Sequence, residues 1–203
     1  MGELGLPDWM LGECTRPLSV SQDPCVRRIS VRPAEPGDAA GIARVCAEGW
    51  RDTYAGIYTG EHIESVIAEY YTVERIAAEI TAPEGWDGWI VAVEDGEVVG
   101  AGGGGLIEPG AGEVFVLYLD PKRRREGIGT LILDAITRQQ LAQGAREQWV
   151  SVEPDNEKGL PFYNARGFEA RGKRPAWGSA PEEGRFSLRL MRRVDPPHTP
   201  QQA

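Results

Sequence analysis

The run EVFVLYLDPKRRREGIGTLILDAI, residues 113–136, decides the fold. Its opening segment, EVFVLYLD, is an almost unbroken apolar run, as expected of a strand buried on both faces. Pro121 ends that strand, and Lys122, Arg123, Arg124 and Arg125 form a basic segment behind it. After Gly127 and Gly129 the apolar period changes. Ile128, Leu131, Ile132, Ala135 and Ile136 fall on one helical stripe, and Gly144 supplies a stop. A helix start offers unpaired N–H groups and the positive end of a dipole, which suit a phosphate. Glycines at 127 and 129 let the backbone approach the phosphate oxygens, and Arg124 and Arg125 add mobile charge. The competing reading is a solvated basic turn that only happens to precede a helix. Two other phosphate motifs fail here: a dinucleotide fingerprint needs glycine at the position of Ile132, and no Walker lysine follows.

Working outward, Arg27–Ala34 reads as a first strand ending at Pro33, and Asp38 as the N-cap of a helix carrying Ala39, Ile42, Ala43, Cys46 and Trp50 on one face. Thr59 caps a second helix with Ile63, Val66, Ile67 and Tyr70, and a further turn or two runs through Ile76 and Ile80. Two apolar runs flank Asp95-Gly96, a strong hairpin signal. After the central helix come a strand (QWVSVEP), a short helix ending at Gly167, and two last strands joined by a Pro/Gly-rich loop. Gly102–Gly105 lies inside a strand and opens no helix, so it is no phosphate loop; its lack of side chains leaves room for a bulky ligand. The order predicts an α/β (α+β) domain around a mixed sheet. Residues 28–194 are expected to form it, with a partly disordered extension over 1–27, pinned through Trp9, Met10 and Leu11, and a disordered tail over 195–203.

The bulk properties bound the function. At 203 residues the chain can bury a core without staples, and 41% apolar content is ordinary for a globular protein. A net charge of −9 argues against nucleic acid and leans towards cationic partners. No stretch approaches the ~18 apolar residues of a membrane span. Cys14, Cys25 and Cys46 are odd in number and lack metal-ligand spacing, so the expectation is a cytoplasmic protein without a metal.

The Arg-x-x-Gly-x-Gly turn at 124–129 resembles the coenzyme A pyrophosphate motif of the GCN5-related N-acetyltransferases. A second segment agrees: Val152, Asn156, Tyr163 and Gly167-Phe168 stand at the spacings of that family's closing strand–helix–strand unit. The resemblance implies the acyl-CoA N-acyltransferase fold: a mostly antiparallel sheet of about seven strands, splayed into a V between the fourth and fifth, with about four flanking helices. It implies transfer of an acetyl group from acetyl-CoA to a primary amine of a small molecule or peptide, by direct attack. The alternative is a module that binds acetyl-CoA without turnover. Either a monomer or a homodimer is compatible with the chain.

The resemblance also suggests residue roles. Pantetheine would pair with the backbone of Leu117, Tyr118 and Leu119, and the pyrophosphate would meet the amides of Arg125, Glu126, Gly127, Ile128, Gly129 and Thr130. The N–H of Leu119 is the expected oxyanion donor. Tyr163 is the expected acid for the leaving thiolate, against the alternative that it packs under the coenzyme. Asn156 either bonds the pantetheine or fixes a strand end. Glu113, fourteen positions before Gly127, stands where the histone-acetylating branch carries its base; otherwise it is an exposed strand-entry residue. Ser151 occupies the position where ribosomal-protein acetylases carry a glutamate, so that base is missing, and Glu153 is a reserve. For the acceptor, Trp50, Tyr54, Tyr58 and Trp177 form an aromatic wall that Asp52 or Glu48 would help make attractive to a cation. The alternative places Trp50 and Tyr54 in the core.

Overall fold

The computed structural model describes residues 29–176 and 184–195. The expectations for the N-terminal extension, most of the tail, and Trp177 fall outside the described residues.

Strand β1 (Ser30–Pro33) leads through a 3₁₀ turn at Pro36–Asp38 into α1 (Ala39–Tyr54), then α2 (Gly60–Tyr70) and α3 (Val73–Thr81). Strands β2 (Trp89–Glu94), β3 (Glu97–Glu108) and β4 (Ala111–Leu119) form an antiparallel meander. Helix α4 (Ile128–Ala142), strand β5 (Glu147–Val152), helix α5 (Gly159–Asn164), β6 (Glu169–Pro175) and β7 (Phe186–Arg193) follow. The seven strands run in the order β1-β2-β3-β4-β5-β7-β6, and only β4 and β5 are parallel.

Local chemistry explains most boundaries. Asp95 (φ 51°) and Gly96 (φ 85°) form the tight β2–β3 turn, where both central residues need positive φ. Thr59 Oγ1 accepts the His62 N–H at 3.3 Å and caps α2. Asp38 precedes α1 but does not cap it. Its carboxylate instead turns back to accept the Glu35 N–H at 2.7 Å and a two-pronged contact from Arg32 at 2.6 and 3.1 Å. The Arg32 guanidinium, six residues back on β1, offers a stronger charged partner than the helix amides.

Two apolar layers sandwich the sheet. Ile128, Ile132, Leu133 and Ile136 of α4 pack with Val114, Val150, Val152, Phe168 and Leu190 on one face. Ile42, Val45, Cys46 and Ile76 pack with Val91, Val93, Val98 and Ala101 on the other. The Gly102–Gly105 run corrects the sequence reading, for its space is already filled. A Cβ at Gly102 would lie 2.9 Å from the Ile132 side chain, and one at Gly103 2.4 Å from the Trp86 ring. At Gly104 it would meet the Glu113 carbonyl at 2.1 Å and Gln140 at 2.9 Å. The glycines let α4 and the Trp86 segment press onto the sheet, so no ligand space remains there.

Two irregularities in β4 shape everything downstream. Gly104 pairs with Val114 but Gly103 pairs with Val116, so Phe115 is an extra residue: a β-bulge in the middle of the strand. The pairing of β4 with β5 runs from Ala111–Glu147 to Val114–Val150 and stops at the same point. The expected opening between the fourth and fifth strands begins there.

Candidate active site

The opening between β4 and β5 is the apex of a cleft of about 740 Å³. One wall is β4 from Val114 to Leu119, and the other is β5 from Val150 to Val152 with α5. The Asp120 N–H donates to the Val99 carbonyl of β3 at 3.0 Å. Strand alternation therefore turns the N–H groups of Leu117 and Leu119 away from β3, towards the opening. Gly49 leaves space on α1 for Tyr118, since a Cβ there would sit 2.8 Å from that ring.

The far end of the cleft is the turn into α4. Arg125 (φ 67°) and Gly127 (φ 83°) both adopt left-handed backbone. Such alternation curls successive N–H groups into an anion-binding concavity, continued by the amides of Ile128 and Gly129 at the helix start, whereas the Thr130 N–H donates to the Gly127 carbonyl at 2.9 Å. Gly129 lies flat against α5, because a Cβ would come within 3.0 Å of Phe162. Arg166 stacks on the Phe162 ring at 3.9 Å, donates to the Phe162 carbonyl at 2.8 Å and bonds Thr130 Oγ1, tying α5 to the start of α4.

Of the residues singled out from sequence, Leu117, Tyr118, Leu119, Arg124, Arg125, Gly127, Ile128, Gly129, Thr130, Asn156, Tyr163 and Tyr54 line this cleft. Glu126 does not; it pairs with Arg123 at 2.7 Å. Asn156 Oδ1 accepts the Gly159 N–H at 2.7 Å and fixes the start of α5. Tyr163 is 8% exposed, edge-on to Phe162 and Phe168, and burial raises its phenol above the ordinary range. It therefore stays protonated, as a proton donor must.

Glu113 lies outside the lining. It is 3% exposed and pairs with Arg189 at 2.6 Å and Arg174 at 3.2 Å. Trp50 is buried against Ile63 and Val66 and donates its N–H to Tyr71 Oη at 3.1 Å, so it belongs to the core beneath Tyr54. Tyr58 stands behind the cleft, donating to Glu153 at 2.8 Å. Burial first, and then Glu153, push its phenol up to about 12. Glu153 and Asp155 line a separate depression beside Arg185 and Phe186.

Sequence reasoning missed Phe115 and read Ser151 only as a missing base and Asp52 only as a carboxylate for the acceptor's cation. Phe115, 46% exposed at the bulge, lines the cleft. Ser151 lines it opposite. Asp52 bridges its mouth, accepting from Lys158 Nζ at 2.7 Å and pairing with Arg124. Partial burial pushes the Asp52 carboxyl up, but these two cations outweigh it and hold it below the usual range. Lys158, the cation that Asp52 holds, lies only two residues past Asn156, and sequence reasoning passed over it.

A splayed parallel strand pair, an anion-binding helix start and a buried phenol between them make up the arrangement that a coenzyme-A-dependent acyltransferase needs. The sequence pattern of the acetyltransferase (GNAT) family matches residues 48–168, and the chain belongs to that family. It is an acetyl-CoA-dependent N-acetyltransferase. A spermidine N(1)-acetyltransferase of Thermoplasma acidophilum is 31% identical over 143 residues, 70% of this chain and 88% of that protein. The crystal structure of the paiA N-acetyltransferase from the same organism, in complex with coenzyme A, is similar at 26% identity and a TM-score of 0.70. It aligns with 82% of this chain and 99% of that one. The ribosomal-protein-S18-alanine N-acetyltransferase of Escherichia coli shares the fold at 12% identity and a TM-score of 0.59, over 87% of this chain and all of that one.

Proposed function

We propose that this enzyme acetylates a primary amine of a small polycationic molecule, with spermidine the first acceptor to test, by direct attack on acetyl-CoA. The observation that carries the catalytic part is the end of β4–β5 pairing at Val114–Val150 beside the bulge. It leaves a strand edge free for a pantetheine arm to pair as an added strand. The pyrophosphate would then lie against the amides from Arg125 to Gly129, the expected Thr130 N–H being held by the Gly127 carbonyl. The oxyanion would meet a β4 N–H facing the opening: that of Leu119, or that of Leu117, two residues nearer the apex. Tyr163 would give its proton to the departing thiolate and regain, through water, the proton that the acetylated nitrogen sheds.

An alkyl amine has a pKa of ~10.4 and must lose a proton before attack. The lone pairs of Glu113 are engaged by Arg189, Arg174 and Ser151. In this reading Glu113 is held behind the apex by these partners, and the ammonium gives its proton to solvent water before the amine binds. Two guanidiniums beside it disfavour an ammonium at the reacting position and so favour the neutral amine. For the acceptor, support comes from the spermidine N(1)-acetyltransferase relative and from Glu153 and Asp155 beside Tyr58. These carboxylates suit the distal cation of a polyamine.

The test is thiol release from acetyl-CoA with spermidine, spermine, aminoglycosides, amino acids and short peptides. Release is expected to be largest with the polyamines. Release confined to peptides or neutral amines would overturn the acceptor assignment.

A further inference from the structure

Ser151 follows Val150, the last β5 residue paired to β4, so it stands at the apex where the cleft opens, and it lines the cleft. Its hydroxyl donates to Glu113 Oε1 at 3.2 Å. Arg189 Nη1 donates to the same hydroxyl oxygen at 3.3 Å and also pairs with Glu113 at 2.6 Å. A hydroxyl has one hydrogen and two lone pairs. The hydrogen is committed to Glu113 and one lone pair to Arg189, which leaves one lone pair.

Resting on the acetyltransferase reading above, we infer that Ser151 is the residue that touches the acceptor amine, its remaining lone pair taking an amine N–H. Glu113 is then a positioning residue: by holding the hydroxyl hydrogen on the far side, it keeps the oxygen an acceptor towards the cleft. The cluster of two arginines and one carboxylate is net positive, so it admits the neutral amine and repels the ammonium. With one N–H given to Ser151, the nitrogen lone pair is free to face the thioester carbon. The glutamate absent at this position is thus replaced by a serine with a carboxylate behind it. This also accounts for a buried Glu113 that reaches the cleft only through its neighbour.

The experiment uses the full chain, coenzyme A affinity read from intrinsic fluorescence, and steady-state thiol release with spermidine. Ser151→Ala is expected to lower kcat/KM for the amine about tenfold, the worth of one well-placed hydrogen bond. Its coenzyme A Kd should stay within about twofold of wild type, and Ser151→Thr, which keeps the hydroxyl, should recover most of the loss. Glu113→Gln should mimic Ser151→Ala if it folds; the serine variants carry the test if it does not. An alanine variant as active as wild type, a parallel loss of coenzyme A affinity, or no recovery by threonine overturns the inference. Wild-type protein that turns over another amine but not spermidine overturns the acceptor reading alone, and the serine variants are then judged by the same criteria with that amine.

Discussion

Tyr163 combines two properties that its position in the sequence does not separate: it packs in the core and it lines the cleft. Burial raises its pKa above the ordinary phenol value of about 10, so its proton is retained through the whole range of a normal assay. Tyr163→Phe keeps the packing surface and removes only the hydroxyl. We expect kcat to fall about 10- to 100-fold, the usual worth of a positioned acid, with coenzyme A affinity within about twofold of wild type. Steady-state kinetics and a coenzyme A titration check this; unchanged turnover would reduce Tyr163 to a packing residue. Activity should show no alkaline loss attributable to this phenol below its raised pKa, because a raised pKa delays ionisation. Cys46 is the opposite case. It is buried among Ile42, Val45 and Ile76, and burial lifts its thiol well above the usual range. It is inert packing, as a thiol in that environment should be.

Among the elements, β3 makes the sharpest stability prediction, because its glycines are spent on close approach. The Cβ of Gly104→Ala would lie 2.1 Å from the Glu113 backbone oxygen, which has no rotamer by which to move aside. An overpacking penalty of about 1–3 kcal/mol should lower Tm by roughly 3–10 °C. Gly60→Ala is the control: nothing lies within 4 Å of its Cβ, and helix propensity should leave Tm unchanged or slightly higher. Equal effects at both positions would mean that the contact is not limiting. A second element-scale prediction concerns the strap joining α1, the turn before α4, and the β5–α5 loop. Asp52 occupies Arg124 and Lys158, the cations that coenzyme phosphates would otherwise meet. Asp52→Asn should therefore tighten coenzyme A binding about two- to fivefold at low salt, with the difference shrinking as salt screens it. Weaker binding would mean that Asp52 holds the cations ready for phosphate. These elements also mark where the sequence is legible. The turn at Arg125–Thr130 and the hairpin at Asp95-Gly96 could be read because glycine, charge and period change locally. The bulge at Phe115 could not: inside an unbroken apolar run, a one-residue slip changes no pattern. The partners of Glu113 were illegible for a related reason, since Arg174 and Arg189 arrive from strands that begin 56 or more residues later in the chain.

At the scale of the whole molecule, β1 is an edge strand that, among the described residues, joins the sheet only through β2, and Asp38 secures it to the helical layer. Its carboxylate is nearly buried, and burial alone would raise its pKa. The hydrogen bonds from Arg32 and the Glu35 N–H outweigh that effect, so the folded-state pKa lies below the ordinary value. The sign follows from linkage. A carboxyl with a depressed folded pKa contributes stability that is fully present above its unfolded value of about 3.9 and is lost as pH falls through the folded value. Asp52 shifts in the same direction and adds to the same limb. Thermal unfolding should therefore show a Tm that is level, as far as these groups decide it, from neutrality to about pH 5, then falls steeply below about pH 4. Asp38→Asn keeps the shape but removes the charge that Arg32 binds. Its Tm should be lower at pH 7, by the few degrees that about 1 kcal/mol represents in a chain of this size. Its acid limb should also be shallower, because one of the protons taken up on unfolding has been removed. If the wild-type and Asp38→Asn curves run parallel from pH 5 to 2.5, the carboxyl titrates alike in both states and the Arg32 pair does not secure β1. If they converge as the pH falls, the pair is what acid dissolves first, and the loosened edge is β1 rather than the β4–β5 opening that carries the chemistry.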